Sequence, residues 1–542
     1  NLSNSITIML GAMAKVKNIL FIMCDQLRAD YLSCAGHPRL ETPNIDALAQ
    51  RGVLFPKAYC QSPVCGGSRM SFYTGRYNFT HGASWNGIPL NIGEKTLGDY
   101  LRPLDYRVAL VGKTHMNADI EGMERLNIDR KSPEAVLASE CGFEPYERDD
   151  GLWGWSDDFI PNDLAYNNYL NSMGYEGKNP WHDFANSHEG PNGEILSGWY
   201  IRNNHLPARV KEEHSETAYM TNKAMEFITE TGQNSWCLHL SYIKPHWPYV
   251  APAPYHNMYN HNDMLPVIRS PKEQENGHPV HKFFMSRPDS QTFAKDETRL
   301  NMIPAYMGLI KQVDDHIGRL IEFLEENGRM DDTMIVFTSD HGDYLGDHYL
   351  AEKDLFHEMS VRIPMIVYDP DTSSDSTRGT IDERFVEAID IVPTFIEAAG
   401  GEVPDNIIEG HSLRPLLNGK SIEDWRQYVV SESNYAAKFA NWEFNIKPSE
   451  ARGTMIRTKD WKFIYHEAFR PELFDLNKDP EELHDLGEDP AYENIRKQMQ
   501  GYMFESLRRR KTHTTISDKK LELRARGSLD QKRKKPVNYG EW

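Results

Sequence analysis

Carboxylates, imidazoles, ammonium groups and a thiol beside a glycine pair fall into a few short stretches of this 542-residue chain. Asp25 and Gln26 close the apolar run "NILFIMC". "SPVCGGSRMSFYTGR", residues 62–76, sets Cys65 just before Gly66 and Gly67 and four residues ahead of Arg69. Pro63 and the glycines break what precedes, Met70, Phe72 and Tyr73 supply apolar surface, and Gly75 suits a C-cap, so a short helix opens at Cys65. A helix N-terminus aims backbone N–H groups forward and favours negative charge, which suits a reactive thiolate or an oxyanion derived from it. The other reading of Cys65 is a small buried hydrophobe at a turn. Asp25, Asp340 and His341 offer oxygen and imidazole donors for one divalent cation. Arg69, Lys113 and Lys353 add positive charge for a tetrahedral anion, and His115 and His246 offer proton transfer near neutral pH.

These groups are far apart in sequence, so the fold must gather them. Four sets share one design, a short apolar run of strand character followed by polar residues. "KNILFIMC" precedes Asp25, "YRVALVG" precedes Lys113 and His115, "WCLHLSYI" precedes Lys244 and His246, and "TMIVFTS" precedes Asp340 and His341. Runs apolar on both faces, separated by helical patterns such as residues 303–328, predict an α/β fold with a large, mostly parallel sheet flanked by helices. In such sheets the ligand crevice lies at the carboxyl ends of the strands, so the four clusters should meet there.

Residues 1–14 read as an apolar extension, too short to span a bilayer and lacking a preceding basic segment. Residues 15–424 form the main α/β domain. Within it, an insertion at about 150–210, rich in Trp, Tyr, Asn and Gly, reads as a lid over the site, and about 255–300 as part of the same rim. A smaller α+β domain follows over 425–500. The basic tail, 501–542, reads as a solvated tail or as an arm that wraps a neighbouring subunit; the acidic body favours the arm, hence a homo-oligomer, dimer or tetramer. A formal charge of −20 excludes nucleic acid as partner of the body. Six scattered cysteines make no disulfide framework and place the chain in the cytoplasm. No run reaches transmembrane length, so no membrane partner is expected, and "NFT" at Asn78 is a chance match to a glycosylation acceptor.

The ordered set Asp25-Gln26, "CGGSRMSFYTGR", "GKTH", "KPHWPY", "TSDHGDYLGDH" and Lys353 resembles the type I sulfatases and the related phosphonate monoester hydrolases of the alkaline phosphatase superfamily, from about residue 17 to 490. The resemblance implies that Cys65 is oxidised to formylglycine by a formylglycine-generating enzyme or its equivalent, and that the hydrate is the nucleophile. It implies that Asp25, modified Cys65, Asp340 and His341 bind the metal and that Arg69 holds the nucleophile. Gln26, Asn86, Lys113 and Lys353 would contact the ester oxyanion, His246 with Lys353 would serve the departing oxygen, and His115 would be the base that expels sulfate.

The chain departs from that pattern. Gly67 stands where the motif has proline or alanine. Gln26 and His341 replace the second aspartate and the asparagine common in calcium-dependent sulfatases, as in the phosphonate hydrolases, so Mn2+ stands beside Ca2+ as the expected ion. "GKTH" is sulfatase-like and has no counterpart in the phosphonate hydrolases. The expected activity is arylsulfatase-type hydrolysis of a small-molecule sulfate ester, with phosphonate monoesters and phosphodiesters as side substrates. One alternative reverses that preference. The other, for an unmodified Cys65, is an anion-binding protein without turnover.

Overall fold

The computed structural model describes residues 16–151 and 164–534. The extension 1–14 and the first part of the aromatic-rich insertion lie outside the described residues. The centre is an eight-stranded sheet built from β1 (Asn18–Asp25), β2 (Val53–Leu54), β3 (Arg107–Gly112), β4 (Glu144–Arg148), β5 (Trp236–Pro245), β6 (Thr333–Ser339), β7 (Met365–Tyr368) and β8 (Thr380–Ile381). Their order across the sheet is β8-β2-β7-β6-β1-β5-β3-β4. The run β6-β1-β5-β3-β4 is parallel, and β7 joins β6 antiparallel. The sheet is thus large and mostly parallel, and the four apolar runs followed by chemistry are its four adjacent central strands.

Register follows from burial on both faces. In β1, Leu20, Ile22 and Cys24 enter one core while Ile19, Phe21 and Met23 enter the other, the period-two alternation of a strand covered on both sides. Fully burying each such aliphatic side chain contributes about 1.5–3 kcal/mol, so a one-residue slip is strongly disfavoured. The first core is closed by α1 (Pro43–Arg51), α3 (Glu216–Thr231) and α5 (Asp296–Glu326). The second is closed by α2 (Cys65–Thr74) and α6 (Ile391–Ala398). Asn18 of β1 lies level with Trp236 and Thr333, and Gly112 of β3 level with Ser241, so the carboxyl ends of β6, β1, β5 and β3 form one edge.

Residues 164–210 are not a free flap. Tyr166, Leu170 and Trp181 are buried in the first core, where large aromatics gain more from burial than from hovering over a cleft. The 255–300 segment carries α4 (Pro279–Ser286), whose Val280 and Phe284 pack with Tyr344, Leu350 and Leu355. The smaller C-terminal part is an antiparallel four-stranded sheet, β9 (Tyr428–Asn434), β10 (Arg452–Thr458), β11 (Trp461–His466) and β12 (Glu472–Asp475), with α7 (Glu493–Arg508) packed on it through Met499. Beyond α7, Arg510 pairs with Glu432 at 2.7 Å and lies 3.7 Å over the Tyr77 ring, so the start of the basic tail is tied to the chain's own body. All six cysteines are free, and no helix among the described residues is long and apolar enough to cross a membrane.

Candidate active site

Helix α2 delivers both the thiol and an arginine to the sheet edge. Val64 is its extended N-cap and Gly75, at φ 69°, its left-handed C-cap. Wholly buried, Arg69 donates from Nε to Asp340 Oδ2 (2.9 Å), from Nη1 to the Lys113 carbonyl (2.9 Å) and Ser241 Oγ (2.7 Å), and pairs through Nη2 with Asp25 Oδ2 (3.3 Å). Asp340, Lys113 and Asp25 stand at or just past the ends of β6, β3 and β1, and Ser241 lies within β5 level with the end of β3. A planar fork can hold four such groups at once where a point-like ammonium cannot. The resemblance implies that Arg69 holds the nucleophile; its guanidinium sits beside position 65, bound to Asp25 and Asp340, the two carboxylates of the cluster.

Cys65 is the first residue of α2. Its Sγ lies 3.1 Å from His341 Nε2, 3.1 Å from Lys353 Nζ and 3.8 Å from Asp25 Oδ1. Burial alone would raise the thiol, but Lys353, Lys113 and His341, with a hydrogen bond from His115, hold it well below the ordinary range. The sulfur marks where an oxygen-bearing side chain at position 65 would stand. Asp25 shows the converse balance. Burial and the Cys65 thiolate push it up, but Lys113, His246 and Arg69 prevail and keep it ionised.

Asp25, Cys65, Asp340 and His341 bring one donor atom each within 4.8 Å of one another. His341 Nδ1 donates to the Gly342 carbonyl at 2.8 Å, which leaves Nε2 facing the cluster, the arrangement a metal-bound imidazole needs. Burial would lower His341, but Asp340 and the Cys65 thiolate raise it to about 9. Two carboxylates, one imidazole and position 65 fit a divalent cation.

The remaining predicted residues reach the same place by different routes. Lys113 Nζ pairs with Asp25 Oδ2 at 2.5 Å. β3 ends at Gly112, so the strand alternation that would set Lys113 and His115 on one face does not apply. A left-handed backbone at His115 (φ 56°), with its N–H on Asp150 Oδ1 (3.0 Å), turns that side chain to Cys65. Lys353 Nζ bonds Gln26 Oε1 (3.0 Å) and His246 Nε2 (3.1 Å). His246 Nδ1 donates to the Trp247 carbonyl, and burial together with Lys353 lowers its pKa, so Nε2 is the acceptor of the Lys353 hydrogen. Asn86 Oδ1 accepts the Gly66 N–H at 2.7 Å and so ties its loop to the first turn of α2.

Three residues in the site were not singled out from sequence. Ser241 is the hydroxyl inside "WCLHLSYI", and a polar residue in an otherwise apolar buried run, a signal shared with His239, was all that pointed to it. Asp343 Oδ2 receives Gln26 Nε2 (2.6 Å) and Tyr249 OH (2.6 Å), which fixes a glutamine whose own φ is 65°. Asp343 and Tyr249 act across 94 residues of sequence, and no spacing rule finds such a pair. At the rim, Trp247 stacks on His246 (5.9 Å, 20°) and Trp199 of the insertion meets Trp247 edge-on (5.3 Å).

Residues 17–401 match the family described as Sulfatase, and residues 346–509 match the N-sulphoglucosamine sulphohydrolase C-terminal family. The multifunctional alkaline phosphatase superfamily protein PehA of Trinickia caryophylli is 32% identical over 504 residues, 88% of this chain and 92% of that protein. An arylsulfatase of Clostridium perfringens is 26% identical over 93% of this chain and 97% of its own length. Among solved structures, the phosphonate monoester hydrolase SpPMH from Silicibacter pomeroyi matches with TM-score 0.80 and 28% identity, covering 92% of this chain and 96% of its own. The phosphonate monoester hydrolase of Agrobacterium radiobacter gives 0.80 and 28% over 91% and 96%.

Proposed function

The chain belongs to the sulfatase family, and from that premise we propose that it hydrolyses sulfate monoesters of aryl or other apolar alcohols, with phosphonate monoesters and phosphodiesters as secondary substrates. The observation that carries this reading is the convergence of Lys113, His115, His246 and Lys353 on Cys65 and Asp25. All three ester classes present one negative charge on the reacting group, so charge does not choose among them. Geometry does. A sulfuryl group has three unsubstituted oxygens, whereas the rivals replace one by carbon or an ester oxygen. Lys113 and His115 are donors suited to an unsubstituted oxygen, and such contacts strengthen as the transition state forms.

An aldehyde hydrate at position 65 supplies the hydroxyl nucleophile, and a divalent cation held by Asp25, Asp340, His341 and position 65 supplies positive charge beside it. Arg69 orients the two carboxylates. Burial opposes the charge on Lys353, but Cys65, Glu352 and Asp25 outweigh it, so the proton of the Lys353–His246 pair rests on Nζ. His246 Nε2 accepts one Lys353 hydrogen and so holds the ammonium in place, leaving Lys353 to donate another of its hydrogens to the departing oxygen. His115 is the base for the second hydroxyl at position 65. Trp247 and Trp199 offer an apolar wall next to His246, which suits an aryl leaving group.

A second reading makes phosphonate monoesters or phosphodiesters the primary substrates. Gln26, His341 and the likeness to the two phosphonate monoester hydrolases favour it. The test is kcat/KM for an aryl sulfate, a phosphonate monoester and a phosphodiester, in the wild type and in Lys113→Tyr/His115→Thr. Aryl sulfate should be preferred and should lose on the order of 10² or more in the double variant, the scale of one oxyanion donor, with phosphonate turnover falling less. A wild-type preference for phosphonate, or equal losses in both activities, hands the assignment to the second reading.

A further inference from the structure

A second set of buried ligand side chains lies where the α4 segment meets the C-terminal sheet. His278 precedes α4, His466 ends β11 and Glu472 begins β12. Their exposures are 2%, 2% and 6%. His466 Nε2 lies 2.8 Å from Glu472 Oε1, His278 Nδ1 lies 3.7 Å from the same oxygen, and one donor atom from each of the three falls within 4.8 Å of the others. We propose that His278, His466 and Glu472 form a second metal site, one that takes a zinc-like divalent transition ion.

The remote nitrogens of both rings are already committed. His278 Nε2 donates to the Arg470 carbonyl at 2.9 Å. His466 Nδ1 faces Tyr435 OH at 3.1 Å, and that hydroxyl donates to the Arg452 carbonyl at 3.0 Å, so it accepts from the ring. Each imidazole therefore turns its other nitrogen toward Glu472, the outer-shell pattern that fixes metal-binding histidines. The rings stack 4.4 Å apart at 22°, so one ring has to turn out of the stack for both nitrogens to reach the same ion. Four-coordinate zinc with bonds of about 2.0–2.1 Å spaces its donors roughly 3.3 Å apart, between the two separations found here. The ion would displace the 3.2 Å contact that the Val280 N–H makes with His278 Nδ1. A cavity of about 280 Å³ bordered by His278 and Glu472 leaves room for water in the open position. Two imidazoles and one carboxylate are a softer set than the two carboxylates and single imidazole of the active site, so the sites should differ in preferred metal. The ion would fasten the C-terminal sheet to α4, which packs against residues on either side of Lys353.

The test uses the full-length protein, stripped with chelator and reloaded with ZnCl2, and zinc-soaked crystals measured on both sides of the zinc absorption edge. Wild type should bind two zinc ions per chain, with one anomalous peak between His278, His466 and Glu472. Glu472→Gln should lose that ion and keep the one at Asp25, Asp340 and His341. Zinc should raise the melting temperature of wild type more than that of the variant. No peak among the three side chains in wild type, a second ion lodged elsewhere, or full occupancy in Glu472→Gln overturns the proposal. Should Glu472→Gln fail to fold, the wild-type crystal alone decides.

Discussion

Replacing Gly67 by alanine puts back a residue of the sulfatase motif, and this structure should resist it. A Cβ built on Gly67 lies 2.6 Å from Asn78 Oδ1, 2.8 Å from Ser62 Oγ and 3.0 Å from Ser62 Cβ. The Ser62 hydroxyl has no hydrogen-bond partner and can rotate away. Asn78 cannot do so freely, because its Nδ2 donates to the Glu432 carbonyl at 3.1 Å and holds the turn against β9. Overpacking of this kind costs about 1–3 kcal/mol, and the gain from removing a helical glycine returns up to about 1 kcal/mol. The expected net loss is roughly 1–2 kcal/mol, read as a lower urea midpoint at unchanged m. In an Asn78→Ala background the same change should cost nothing, a coupling of about 1–2 kcal/mol. In the same preparations the fraction of Cys65 converted, read from peptide mass, should rise because the motif is restored. An unchanged midpoint in the single variant, or an equal cost in both backgrounds, would falsify the steric account.

Three further outcomes are expected. The wild-type peptide bearing residue 65 should carry the mass of an aldehyde or its hydrate, and Cys65→Ala should abolish turnover; full activity in that variant removes the nucleophile assignment, and an unmodified thiol in active protein removes the aldehyde. Asp340→Asn should lose the bound cation by elemental analysis and, because it strips Arg69 of an ionised partner, destabilise the fold by about 3–5 kcal/mol; unchanged metal content contradicts the site. His239, wedged between Tyr73 OH (2.9 Å) and the Phe21 carbonyl (3.1 Å), is lowered to about 3 by burial and by Arg69. Its folded pKa lies below its unfolded one, so its contribution is intact above pH 6.5 and drains as pH falls. Between pH 7 and 5 wild type should lose about 2 kcal/mol more than His239→Gln, and parallel pH profiles would exclude a neutral His239.

The four central strands were legible because runs buried on both faces are written almost without polar residues, and each ends abruptly in charge. Their adjacency was not legible, since β1 pairs with strands that begin at Trp236 and Thr333 and nothing local to "NILFIMC" encodes either partner. Donor types at the site could be read from Asp25, Asp340, His341 and Lys353, because chemistry restricts them. Depth could not. Nothing in the sequence shows that Asp25 and Asp340 are fully buried around Arg69 and so carry structural weight as well. The aromatic insertion was legible only in part: a short helix, Ala165–Ser172, carries Tyr166 and Leu170 into the core and the turn at Trp181–Ala185 carries Trp181, while Trp199 reaches the rim.

The placing of β1 between β5 and β6 also sets a clock. Cys65 is wholly enclosed once the sheet is complete, and His341, which stands 3.1 Å from its sulfur, follows directly on β6. Thr333, where β6 starts, is 268 residues downstream of Cys65. At roughly 5–20 residues per second of synthesis, the thiol leaves the ribosome on the order of tens of seconds before the strand that seals it exists. On the proposed conversion of Cys65, an oxidising agent has open access to the thiol during that interval, on a nascent chain. If that conversion needs the open thiol, slowing translation should raise the converted fraction and speeding it should lower it.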